Sequence, residues 1–144
     1  MIRSDLPRAS SFIAASAACL AVFGLSLAGV TAARADSSAP LVGSWVGNGS
    51  ISFAKGNKER ARCHAHFAKT GESSYEMSAS CATASAKVDQ TAQLTRTGAN
   101  SYAGSFFNQQ YNTGGSIRIT LSGRSGSAHL AGESGTAFFS LQKL

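Results

Sequence analysis

Between residues 58 and 66, five basic side chains recur at every second position: Lys58, Arg60, Arg62, His64 and His66. Alternate residues of a β-strand share a face. On a strand these side chains form one stripe, with Lys55 and Lys69 near its ends. Like charges stacked along one face repel, so a sequence shaped only by folding gains little from such a row. The chemistry it suits is anion binding: lipopolysaccharide phosphate, an acidic polysaccharide or another anionic envelope component. A charged edge strand guarded against aggregation would carry the same pattern. His64 and His66 also share the face, and imidazole ligates Zn, Cu and Ni. Arg62 beside them disfavours a dication, and a third ligand would have to come from His129 or Glu76, so no metal site is expected.

Nothing in the chain arranges a reaction. There is no G-x-S-x-G elbow, no HExxH and no P-loop. The 7 acidic residues are scattered singly, and neither His64 nor His129 has an evident carboxylate to orient it as a base. The expectation is a protein without catalysis and without a cofactor. Nucleic acid is not an expected partner, because a single-strand binder needs outward aromatic platforms and Tyr75 and most Phe residues fall on inward positions.

Cys63 lies inside the basic run but on the opposite face, with Ala61, Ala65 and Phe67. In the following run Tyr75, Met77, Ala79 and Cys81 share a face, opposite Glu76, Ser78 and Ser80. A hairpin turn centred on Glu72 sets Cys63 directly across from Cys81. Register, apolar faces and a Cys63–Cys81 disulfide therefore agree. Such a bridge suits a close, non-hydrogen-bonded pair and contributes ~3 kcal/mol in the chain-entropy account.

These residues need strands to position them, and the rest of the chain supplies strands. Turn signals recur at Gly56-Asn57, Thr70-Gly71-Glu72, Gly98-Ala99-Asn100, Asn112-Thr113-Gly114-Gly115, Gly123-Arg124-Ser125-Gly126 and Gly132-Glu133-Ser134-Gly135, with a weaker break near Ala84-Ser85. Between them lie alternating runs at about 43–54, 58–69, 74–83, 86–97, 101–111, 116–122, 126–132 and 136–143. Eight such runs predict an all-β, antiparallel up-and-down barrel. The 144 residues, 14% charged and with a net charge of +6, exclude a coiled coil and a two-domain enzyme. Inner faces carry Ile51 and Phe53, then Val88, Ala92 and Leu94, then Ile117, Ile119 and Leu121, then Ala128 and Leu130, then Phe139 and Leu141. Phe106 and Phe107 face opposite ways, which leaves the fifth strand's inner face open. Gly47, Gly49, Ala61, Ala65, Ala79, Ala92 and Gly104 are small inner positions. They either let a narrow barrel close or leave space for a ligand.

Ahead of the barrel, Arg3 and Arg8 precede an apolar run from about 12 to 30, which contains Cys19, and then Ala33-Arg34-Ala35. A basic start, an apolar centre and small residues at the cleavage positions make a secretory signal peptide. The expected organisation is a signal helix over 1–35, a polar lead over 36–42 and the barrel domain over 43–144. The protein is then periplasmic or secreted, with no stable membrane span after cleavage; an uncleaved anchor is the alternative.

Leu41-Val42-Gly43-Ser44-Trp45 opens the first strand. A Gly-x-Trp there, on an eight-stranded antiparallel barrel, resembles the calycin superfamily of lipocalins, avidins and bacterial inhibitors of secreted metalloproteases. The chain's overall style also resembles small exported proteins of alphaproteobacteria. The calycin resemblance implies that Trp45 closes one end of the barrel and that a basic side chain from the last strand, Lys143, lies across it. The expectation is a non-catalytic exported binding protein. It would hold a small apolar ligand or an anionic envelope component, through the stripe together with Trp45 and Tyr75. The alternatives are an inhibitor that inserts its lead into a secreted protease, and an eight-stranded outer-membrane barrel.

Overall fold

The computed structural model describes residues 40–144. The expected signal peptide, with Cys19, and residues 36–39 of the lead lie outside them. Eight strands follow one another: β1 (Gly43–Phe53), β2 (Lys58–Lys69), β3 (Ser74–Ala82), β4 (Lys87–Arg96), β5 (Ser101–Asn108), β6 (Thr113–Ser122), β7 (Ser125–Gly132) and β8 (Gly135–Lys143). Each pairs antiparallel with the next, and β8 returns to β1, which closes the barrel. The expected up-and-down barrel is the fold observed. Closure leaves no free sheet edge at the seam.

The β2–β3 register sets Cys63 against Cys81, and the two are joined as a disulfide with Cα atoms 4.0 Å apart. That is the short Cα separation of a non-hydrogen-bonded pair. The fifth hairpin departs from expectation. Its turn spans 109–112 rather than Asn112–Gly115, so β5 ends at Asn108 and β6 begins at Thr113. Two local features move the turn. Asn108 Oδ1 accepts the Tyr111 N–H at 2.9 Å, an Asx-type closure, and Asn112 takes a left-handed backbone with φ 48°. Gly115 is a strand residue, where a Cβ would collide with the Ala131 carbonyl. Its glycine serves close strand approach, not a turn.

The inner face is apolar and the outer face polar. Trp45, Phe67, Tyr75, Ile117, Leu130 and Phe139 are among the buried core residues, while Lys58, Arg60, Thr91, Gln93 and Arg118 stand outside. This polarity is the reverse of what a lipid-embedded barrel requires, and it opposes the outer-membrane alternative. Phe106 points inward and Phe107 outward. Among the described residues no helix is long and apolar enough to cross a membrane.

Candidate ligand-binding cavity

The barrel has two unlike ends. At one, the inner positions are large. Trp45 and Leu41 are 0% exposed, and the Trp45 Nε1–H donates to the Leu41 carbonyl at 2.8 Å. Lys143 Nζ lies 5.6 Å from the Trp45 ring centroid and donates to the Pro40 carbonyl at 3.0 Å. Cation, ring and lead are thus tied together. Below them Tyr75 and Tyr102 meet edge to face, 5.2 Å between centroids, the favoured aromatic geometry. The Tyr102 hydroxyl is buried without a hydrogen-bond partner, and burial, with Tyr75 beside it, raises its pKa above the usual phenol value. Leu41, expected in a polar lead, is instead part of this plug. An apolar side chain next to Gly43 and Trp45 gains more by capping the core than by facing water.

At the other end, where β1, β3, β5 and β7 finish, the inner positions leave a cavity of about 350 Å³. Its wall is mostly apolar: Ile51, Phe53, Val88, Phe106, Leu130 and Phe139 contribute, and Cys81 of the disulfide also reaches it. Ala86 and Ala137 stand on this wall where larger residues would fill the space; Gly114, Gly132 and Gly135 also border it, but a Cβ at each would meet backbone of a neighbouring strand. The small inner residues named from the sequence (Gly47, Gly49, Ala61, Ala65) let the narrow barrel close, and Ala86 and Ala137 at the mouth leave the hollow. A volume near 350 Å³ lies at the small end of ligand pockets.

Most polar groups around the mouth are paired with one another. Thr113 Oγ1 and Ser134 Oγ are 2.6 Å apart, joining the β5–β6 and β7–β8 turns. Ser85 Oγ donates to the Glu59 carboxylate at 2.8 Å. Hydrogen bonds from Thr83 and Ser85 hold that carboxyl below the usual carboxylate range. Asn108, 3% exposed and part of the cavity wall, is paired through Oδ1 alone, with the Tyr111 N–H. Sequence reading missed it because its position was assigned to the middle of a strand with an undecided inner face. Its distance from Phe106 was the available signal, since residues two apart share a face.

The basic stripe is where the sequence placed it. Lys58, Arg60, Arg62, His64 and His66 are all exposed on the outer face of β2. Their cross-strand neighbours on β1 are Ser52, Ser50, Asn48, Val46 and Ser44. On β3, Ala82, Ser80 and Ser78 stand beside Arg62, His64 and His66. None of these directly opposed neighbours is acidic; the carboxylates on the same outer face are Glu76, opposite Ala68 and diagonal to His66, and Asp89 on β4, opposite Ser80. Arg62 Nε donates to Asn48 Oδ1 at 3.3 Å, and Ser44 Oγ lies 3.3 Å from His66 Nδ1. No group of three or more potential metal ligands gathers among the described residues. Trp45 and Tyr75, grouped with the stripe as candidate binding residues, are in the plug and apart from the cavity; Trp45 also borders a surface groove with His64 and His66 of the stripe.

No protein-family model matches the sequence, and no curated relative is found by sequence. Solved structures are similar in fold. A redesigned β-barrel, mFAP0, bound to DFHBI superimposes with a TM-score of 0.60 over 72% of this chain and 98% of that one, at 13% identity. A second redesigned barrel bound to DFHBI, mFAP1, gives 0.59 over 72% and 94%, at 12% identity. Rv2717c from M. tuberculosis gives 0.51 over 74% and 94%, at 12% identity. At these identities the likeness is one of fold: a closed eight-stranded barrel, consistent with the calycin-like shape expected from the opening strand.

Proposed function

We propose that this protein is a non-catalytic binding protein that holds a small, largely apolar molecule in the cup at the open end of its barrel. The cup itself carries the reading: about 350 Å³ of mostly apolar space in a barrel whose opposite end is plugged. An empty apolar cavity forgoes dispersion contacts that its walls would otherwise make, and a ligand restores them. The neighbouring mFAP barrels holding DFHBI support the reading, since a barrel of this size accommodates a small molecule. Work outside the cytoplasm accords with the Cys63–Cys81 bond and with the expected signal peptide. The test is native mass spectrometry of protein purified from its host, followed by titration with a fluorescent apolar probe. Wild type should carry or take up one ligand per barrel. Ala137→Phe, which fills the cup, should remove at least about tenfold of the affinity, the equivalent of 1.4 kcal/mol. Equal probe binding by the two proteins would end the reading.

A second reading rests on the stripe. Five exposed basic residues with no directly opposed acidic neighbour suit an anionic surface such as lipopolysaccharide or an acidic glycan. Replacing Arg60, Arg62 and His66 with Ser should change stability within about 0.5 kcal/mol per site. It should lower retention on an anionic matrix, and the difference should fade as salt shortens the screening length to below ~8 Å. Equal retention would reduce the stripe to a solvated wall.

A further inference from the structure

The β4–β5 ladder ends early. Its last pair toward the mouth is Thr91 with Phe107, whereas β4 stays paired with β3 as far as Lys87. One step beyond Thr91 and Phe107, the same register brings Gln90 of β4 level with Asn108 of β5. Both line the cavity. The apolar cup thus has two carboxamides at one point of its wall, where the backbone pairing stops. Asn108 is buried, 3% exposed. Its Oδ1 is committed to the Tyr111 N–H. That bond fixes the amide's orientation, since an N–H needs an acceptor and the carboxamide has only one. The two Nδ2 hydrogens are left for the cavity. Gln90 makes only a long contact, Nε2 to Cys81 Sγ at 3.9 Å, to a weak acceptor. Thr83, Ser85, Thr113 and Ser134 on this wall are occupied by partners within the rim, and Tyr111 and Thr136, which also border it, are exposed to solvent.

We propose that the cavity selects small apolar ligands that bear a carbonyl-type oxygen, and that Asn108 Nδ2, with Gln90 beside it, donates to that oxygen. The inference rests on the cup being a ligand site and adds the chemical class it takes. In the free cup water can reach the Asn108 amide, and a ligand that displaces this water without replacing it as acceptor leaves the donor without a partner, at its full desolvation cost. A hydrocarbon leaves that cost in place, and a carbonyl oxygen removes it. The site should therefore discriminate between two molecules of equal shape that differ only in that oxygen.

The experiment measures dissociation constants of acetylnaphthalene and of isopropylnaphthalene, its hydrocarbon counterpart in shape, for wild type and two variants. Asn108→Asp keeps an oxygen for the Tyr111 N–H and removes the amide donor; measured at pH 8, it separates ligand recognition from turn closure. Asn108→Ala removes both functions, and serves where the Asp variant proves unstable by circular dichroism. The expected result is a loss of about three- to tenfold for the ketone, the range of one net hydrogen bond, with the hydrocarbon little changed. Gln90→Leu should produce a smaller loss in the same direction. Equal losses for the two molecules in every folded variant would overturn the role of Asn108 while leaving the cup a ligand site. Binding of neither molecule to wild type, together with no difference between wild type and Ala137→Phe toward the fluorescent probe, would overturn the cup itself.

Discussion

The two ends of the barrel share the same eight strands, yet one is filled with aromatic rings and the other is hollow. The plug uses Trp45, Phe67, Tyr75 and Tyr102 on inner positions, all at most 1% exposed. At the mouth the same alternation delivers Gly132, Gly135 and Ala137, and Ala86 and Gly114 border the cavity beside them. The difference teaches how one fold can be packed tight at one end and left open at the other. Buried aromatic area stabilises at about 25 cal/mol per Å², and a plug that stabilises the whole closed sheet lets the other end leave its walls uncovered. The disulfide lies between the two: Cys63 is in the core, and Cys81 reaches the cup.

Breaking the plug should produce the largest effect. Trp45→Ala removes the ring, its hydrogen bond to Leu41 and the surface under Lys143, and should cost about 3–5 kcal/mol, measured by urea unfolding. A loss below ~1 kcal/mol would mean that this end is not what holds the barrel together. The bond between the ends comes next. Cys63→Ser and Cys81→Ser should each cost ~3 kcal/mol, and the double variant no more than either, because one bond is lost in all three. Additive losses would show that the cysteines act separately.

The subtlest probe compares equal insertions at the two places. Ala128 is buried in the packed core and Ala137 lines the cavity. Ala128→Leu should overpack and cost about 1–3 kcal/mol. Ala137→Leu has space to enter and should stay within about 0.5 kcal/mol. Equal costs in thermal or urea unfolding would mean that the hollow is not accessible to a side chain, and the contrast between the ends would vanish.

Much of this was legible beforehand. Strand positions, the inward and outward faces of β2 and β3, and the Cys63–Cys81 register follow from a period of two and from turn residues, which are local properties of the chain. Trp45 under Lys143 came from a resemblance in the opening strand, and the structure places both as expected. The β5–β6 turn was misplaced because Asn-Thr-Gly-Gly carries strong turn chemistry, while the residues that make the turn, Asn108 and Tyr111, do so through one side-chain bond. The glycines there answer to the adjoining strands, Gly114 to the Phe106 carbonyl and Gly115 to the Ala131 carbonyl. The stripe's exposure was visible in alternation alone, but the serines beside it on β1 were not, since they depend on the register between strands.

By itself the sequence determined an all-β chain of eight alternating strands, one hairpin locked by a disulfide, and a basic outer face, because each depends on residues within one or two strands of each other. Only the tertiary structure decided which small residues close the barrel and which hollow it. Gly47 and Ala137 read alike on their own strands. Gly47 would press a Cβ against Leu141 at 3.2 Å, while Ala137 borders open space. The reason is that a cavity is a property of what stands across the barrel, and closure of β8 onto β1 brings together residues about ninety apart in sequence.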